Sequence, residues 1–148
     1  MTNKEFEALM SKPKHISDKT VILPKQGESI KAINVASDIS MDTFLIDVDR
    51  HSTICLSRKK LQERHVNSSE RLVRLEMDSR PHTNPDGVKL SGNHIHIFRE
   101  GFGLSYAYEL KDFEDGKFLH TGSFAELFRK FCQYCSINAN NIDIQDVI

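Results

Sequence analysis

No stretch of the chain approaches the ~18 consecutive apolar residues that a membrane-crossing helix needs. The first twenty residues, MTNKEFEALMSKPKHISDKT, also lack the apolar core of a secretory leader, so the expected compartment is the cytoplasm. Cysteine is scarce. Three cannot all pair with one another, and the two that lie close, Cys132 and Cys135, fall in an apolar periodic segment, where reduced core thiols belong. A dominant charge is missing too, and a net charge of −1 argues against strong nonspecific attraction to nucleic acid. There is no internal repeat, no low-complexity tract and no linker. Residues 1–148 are therefore expected to form a single domain, long enough to bury roughly 68–70% of the unfolded surface without disulfides.

What is present is a 39% apolar, 28% charged composition, typical of a soluble globular domain, with a charge gradient along it. Residues 50–80 hold eight Lys or Arg against four acids, and residues 100–148 hold four against eight. A basic middle that faces one partner, or a merely solvated surface, both fit. Thr2 and Glu5 have the capping-box spacing before Phe6, Leu9 and Met10, which predicts a short helix ending before Pro13. TVILP and ESIKAINVAS read as strands. In DTFLIDVDRHSTICLS, Phe44, Ile46 and Val48 alternate with polar positions, DRHS turns, and Ile54 and Leu56 resume the alternation, which predicts a hairpin. RKKLQERHVNSS fits a helical turn or a strand end equally. ERLVRLEM sets Val73, Leu75 and Met77 on one side and Leu72, Arg74, Glu76 and Asp78 on the other. NHIHIFRE and LSYAYEL extend the series, with EGFG as the turn between them. SFAELFRKFCQYC repeats the capping-box spacing at Ser123 and Glu126 and carries apolar residues at helical intervals. The expected fold is α+β: a mostly antiparallel sheet of five to seven strands with an N-terminal and a C-terminal helix packed on one face.

Three of seven histidines fall in RPHTNPDGVKLSGNHIHIFREGFG. NPDG is turn chemistry, since Pro85 presets its backbone, Asp86 can bond ahead and Gly87 accepts a positive φ. His82 stands at the mouth of that loop. The strand period puts His94 and His96 on one face, roughly 7 Å apart. Two nitrogens so presented could hold a divalent metal with His82, or with Asp78 or Glu100, but no His-x-x-x-His or cysteine pair accompanies them, so the expectation is no metal. The competing chemistry is proton transfer: with ordinary imidazole pKa values near 6.5, His94 and His96 could serve as acid and base, with Glu100 as the orienting carboxylate. Arg80, His82, Asn84, Asp86 and Tyr106 would contact substrate, and Arg74 and Arg99 could add cationic donors. Such a set suits cleavage of RNA through its own 2′-hydroxyl. The bland alternative is a trio of sheet histidines bonded to their loop. Cys132-x-x-Cys135 has a redox spacing but lies at the end of a helix, on its apolar face, which favours packing.

The block RLVRLEMDSRPHTNPDG, followed by GNHIHIFREGFG and YAYEL, resembles a family of small proteins of unknown function from bacteria, mobile elements and phages. Its pattern is of the type R-L-(x)n-H-x-N-P-D-G-(x)n-H-x-H-(x)3-E-G, which falls here on His82, Asn84, Pro85, Asp86, Gly87, His94, His96, Glu100 and Gly101. Phe98 stands where an aromatic, often Tyr, is usual, so a phenol is not available there. The resemblance implies a setting of conflict between host and mobile element. Two functions then compete: a small endoribonuclease built on the histidine loop, acting on RNA, and a non-catalytic inhibitor, like the anti-CRISPR proteins, that binds a nucleic-acid-processing complex through Lys59, Lys60 and Arg64.

Overall fold

The structure, a computed structural model, describes residues 1–52 and 55–146. Thr2 Oγ1 accepts from the Glu5 amide at 3.1 Å and Glu5 Oε1 accepts from the Thr2 amide at 3.2 Å, so the reciprocal cap starts helix α1 (Asn3–Ser11) where the spacing predicts. After Pro13 come strands β1 (Lys14–Ile16), β2 (Thr20–Leu23), β3 (Ile33–Ser37), β4 (Thr43–Asp49), β5 (Lys59–His65) and β6 (Arg71–Met77). The short β7 (His82–Thr83) and β8 (Lys89–Leu90) precede β9 (His94–Ile97) and β10 (Ala107–Glu109). An irregular 3₁₀ segment (Phe113–Leu119), helix α2 (Phe124–Tyr134), β11 (Ile137–Asn138) and β12 (Asp143–Asp146) complete the described chain.

The architecture is α+β with a large, mostly antiparallel sheet, but of eight strands rather than five to seven, in the order β10-β9-β6-β5-β4-β3-β1-β11. The outer pair β1–β11 is parallel, and β2–β12 and β7–β8 form separate two-stranded sheets. The undercount has a physical cause in β5. RKKLQERH shows no apolar alternation because Glu63 and His65 share the inward face with Leu61, so polar residues stand on both sides of this buried strand. β5, not the Ile54–Leu56 segment, is the hairpin partner of β4. Leu56 is exposed in a turn, and Ile54 lies outside the described residues.

One face of the sheet carries Ile33, Val35, Phe44, Ile46, Val48, Leu61, Val73, Leu75 and Ile95 in a core shared with Phe124, Leu127, Phe128 and Phe131 of α2 and with Phe6 and Leu9 of α1. Cys132 and Cys135 belong to that core, where burial pushes both thiols well above their ordinary value and leaves them unreactive. On the opposite face the register aligns two polar rows across β4, β5, β6 and β9. One is Asp47, Gln62, Arg74, His96 and the other is Asp49, Lys60, Glu76, His94. These rows set the site. Among the described residues no helix is long and apolar enough to cross a membrane.

Candidate active site

The β7–β8 hairpin turns on Asn84-Pro85-Asp86-Gly87. Gly87 has φ +89°, Asp86 Oδ1 accepts from the Val88 amide at 3.1 Å, and the Asn84 and Val88 backbones bond at 2.8 Å. Asn84 is buried and imitates a neighbouring strand: its Oδ1 accepts from Ala107 N at 2.9 Å and its Nδ2 donates to Ala107 O at 3.0 Å. The hairpin is thereby latched to β10. His82 adds a third tie, donating from Nε2 to Ser105 O at 2.9 Å. Asn84→Ala would leave both backbone groups of Ala107 unpaired beneath the hairpin. It is expected to cost about 1–3 kcal/mol in urea unfolding and to speed proteolysis within residues 82–90.

This docking brings the three imidazoles ring to ring. Centroid separations are 4.7 Å for His82–His96, 4.9 Å for His94–His96 and 5.6 Å for His82–His94. His94 and His96 are each 1% exposed, whereas His82 is half-buried. His94 Nδ1 lies 2.7 Å from Ser91 O and His96 Nδ1 lies 2.6 Å from Leu104 O. A carbonyl oxygen can only accept, so both Nδ1 atoms carry hydrogen and both Nε2 atoms turn inward. There they meet Glu76 Oε2, at 3.4 Å from His94 and 3.1 Å from His96. Arg74 crosses the same spot, with Nε 3.2 Å from Glu76 Oε2 and Nη2 3.4 Å from His96 Nε2, and Arg58 Nη2 stands 3.7 Å from Glu76 Oε1. Burial alone would raise the Glu76 pKa, but hydrogen bonding to the two histidines and the charge of Arg74 outweigh it and hold the carboxyl well below its usual range. Burial pushes His96 below its ordinary value despite the opposing bond to Glu76.

The cluster opens into a cavity of about 510 Å³ whose walls include Arg58, Arg74, Arg80, His82 and Asp78. Three guanidinium groups against two carboxylates make it a place where an anion can sit beside proton-carrying groups. Arg80 is exposed at the rim.

Other expected site residues have structural employment. Glu100 is exposed and holds α1, its Oε1 accepting from Asn3 N at 3.0 Å while its own amide donates to Asn3 Oδ1 at 2.7 Å. Glu76 is the carboxylate beside the histidines. Asn84 and Asp86 build the hairpin. Tyr106 lies under Arg99, whose Cζ is 3.6 Å from its ring centroid, in a separate depression of about 330 Å³. Lys60 shares the polar face with Arg64, but Lys59 pairs with Met77 and leaves on the face of Leu61 and Glu63. Arg64 is committed to Asp47 by two bonds of 2.8 and 3.1 Å. The residues missed are Glu76 and Arg58. The alternation of ERLVRLEM already sets Glu76 beside Arg74, but the pairing of that strand with the histidine strand is not local information.

The profile of a protein family described as Family of unknown function (DUF6978) matches residues 1–137. No curated protein and no solved structure matches the chain.

Proposed function

The chain belongs to this family of unknown function (DUF6978), and we propose that it is a small endoribonuclease that cleaves RNA through the substrate's own 2′-hydroxyl. One observation carries the proposal: three histidines packed ring to ring open on a 510 Å³ cavity that also gathers Arg58, Arg74 and Arg80. Self-cleavage of RNA needs a held phosphate, a base for the 2′-hydroxyl and a proton for the leaving 5′-oxygen. The guanidinium groups supply the first. Proton transfer with substrate falls to His82 rather than to the buried His94 and His96. Its Nε2 is anchored on Ser105, which leaves Nδ1 as the lone-pair atom, and among the described residues no hydrogen bond occupies it. The inner cluster of Glu76, His94 and His96 lines the same cavity, its two imidazoles in ring contact with His82. Products would be a 2′,3′-cyclic phosphate and a 5′-hydroxyl. The setting of phage or mobile-element conflict, which the family resemblance implies, suits a small RNA-cleaving toxin.

The non-catalytic alternative, capture of a host nuclease complex by Lys59, Lys60 and Arg64, draws less support. Lys59 diverges from the other two and Arg64 is already paired.

Incubation of the purified chain with single-stranded RNA, both in excess chelator and with added divalent metal, tests the proposal. The expected result is cleavage with cyclic phosphate ends, no cut at a 2′-deoxy position, and a loss of about 100-fold or more in His82→Gln. RNA left intact under both conditions would overturn it.

A further inference from the structure

We propose that Glu76, His94 and His96 bind a divalent first-row transition metal, Zn²⁺ in the first instance, with its open coordination positions facing the cavity. The inference deepens the ribonuclease proposal and rests on it for its purpose, but the site stands on its own geometry. Glu76, His94 and His96 each offer one ligand atom within 4.8 Å of the others, and the gaps from Glu76 Oε2 to His94 Nε2 and His96 Nε2 are 3.4 and 3.1 Å. Ligands held about 2.0–2.1 Å from one ion stand roughly 3.0–3.4 Å apart, so the two gaps are those of neighbouring positions in a coordination sphere.

The surroundings of each ring point the same way. Ser91 O and Leu104 O take the Nδ1 hydrogens, which orients each imidazole with Nε2 inward, so a metal that displaces the hydrogens shared with Glu76 meets rings already set as metal-ligating histidines are, each with its carbonyl support. With those hydrogens displaced, two lone pairs and a carboxylate oxygen converge on one buried point. All three ligands come from paired strands, with Glu76 opposite His94 in register and His96 two residues along. Two nitrogens and one carboxylate oxygen suit Zn²⁺, Mn²⁺ or Fe²⁺ better than Ca²⁺ or Mg²⁺.

Arg74 bears on this directly. Its guanidinium reaches the same two acceptors, Glu76 Oε2 and His96 Nε2, so it competes with the ion and must turn away when one binds. In the turned position it faces the cavity, where it would take a substrate phosphate. Metal affinity is therefore held down by Arg74 and should rise when that charge is removed.

The test measures metal alone, on the full chain stripped with chelator, by calorimetric titration with Zn²⁺ and by visible absorption with Co²⁺. The expected result is one equivalent bound, weakened by about 10-fold or more in Glu76→Gln. Failure to bind one equivalent, or undiminished binding in Glu76→Gln, would overturn the proposal. Because a buried variant can lose affinity by misfolding, Arg74→Gln provides the second measurement: tighter binding, by about 10-fold, supports the site, and unchanged or weaker binding counts against it. No RNA is present, so the two proposals fail separately. Metal bound by a protein that cuts no RNA overturns only the ribonuclease, and RNA cut by a protein that binds no metal overturns only the metal site.

Discussion

Replacing Lys14 with methionine is expected to destabilise the fold by about 1–3 kcal/mol at pH 8, where Glu63 is charged in the wild type, because the buried carboxylate loses its partner and the Cys135 carbonyl its donor. Lys14 opens β1 and Glu63 lies in β5, and both side chains are 0% exposed. Lys14 Nζ stands 3.4 Å from Glu63 Oε2, donates to Cys135 O at 2.7 Å, and lies 4.6 Å from the centroid of the Phe44 ring. The ammonium thus joins the carboxylate in the core to the C-terminal cap of α2. Burial raises the Glu63 carboxyl to about 7 despite the opposing pull of Lys14. Desolvation is the larger effect, so the pair brings little net stability, yet either member alone is worse. Lys14→Met/Glu63→Leu should therefore recover most of the loss in denaturant unfolding. A single variant as stable as the wild type at pH 8, or a double variant no better than the single, would contradict this account.

The same group gives a pH dependence with a definite sign. Between the ordinary value of 4.5 and about 7, native Glu63 keeps a proton that the unfolded chain has released. Its contribution to stability is full at the acid end of that window and falls as pH rises through it. His96, which burial holds below 6.5, acts in the opposite sense over part of the range, since there the unfolded chain takes the proton first. Asp42, lowered mainly by its bond from Lys12, loses its contribution only on acidification below 3.8. The difference between wild type and Glu63→Gln removes these shared terms. The wild-type Tm, relative to the variant, is expected to fall as pH rises from 5 to 7, and a flat difference would place the Glu63 proton elsewhere.

Elements with a local signature are legible in the sequence itself. The caps at Thr2 and Ser123 mark both long helices, and the alternation of Phe44, Ile46 and Val48 marks β4. Period two likewise puts His94 and His96 on one face. What was not legible depends on pairing across the chain. β1 and β11 are three and two residues long and have no period to detect, so their places at the sheet edge come from a parallel pairing between Lys14 and Ile137. TVIL reads correctly as a strand, but its partner, Asp143–Asp146, is chosen by the tertiary fold. Nearness in sequence points to Glu100 as the orienting carboxylate, whereas the strand register brings Glu76 to the histidines in space. Charged residues at inward positions, Glu63 above all, conceal a strand from any pattern that equates buried with apolar.

Gly92→Ala is expected to disrupt the site more than any other single methyl group added to a glycine. A β-carbon at position 92 would stand 2.1 Å from Ser79 O, 3.0 Å from Ser79 C and 3.2 Å from Ser79 N, all backbone atoms. No rotamer change can relieve that. The two backbones are held together by bonds from Ser79 N and Ser79 Oγ to Gly92 O, at 3.1 and 3.0 Å, so both must part to admit the methyl. Overpacking of this kind costs about 1–3 kcal/mol, and each lost bond adds about 1 kcal/mol. The displacement falls on both walls of the cavity. Ser79 leads into Arg80 and His82, and Gly92 follows Ser91, whose carbonyl orients His94. Stability and function should therefore decline together, with Co²⁺ binding and RNA cleavage each reduced by about 10-fold or more. Gly122→Ala is the control, because its β-carbon would meet only the flexible Glu126 carboxylate, at 3.3 Å, and Gly122 does not line the cavity. A Gly92→Ala protein that melts with the wild type and keeps its metal affinity would show that Ser79 and Gly92 do not hold the cavity in shape.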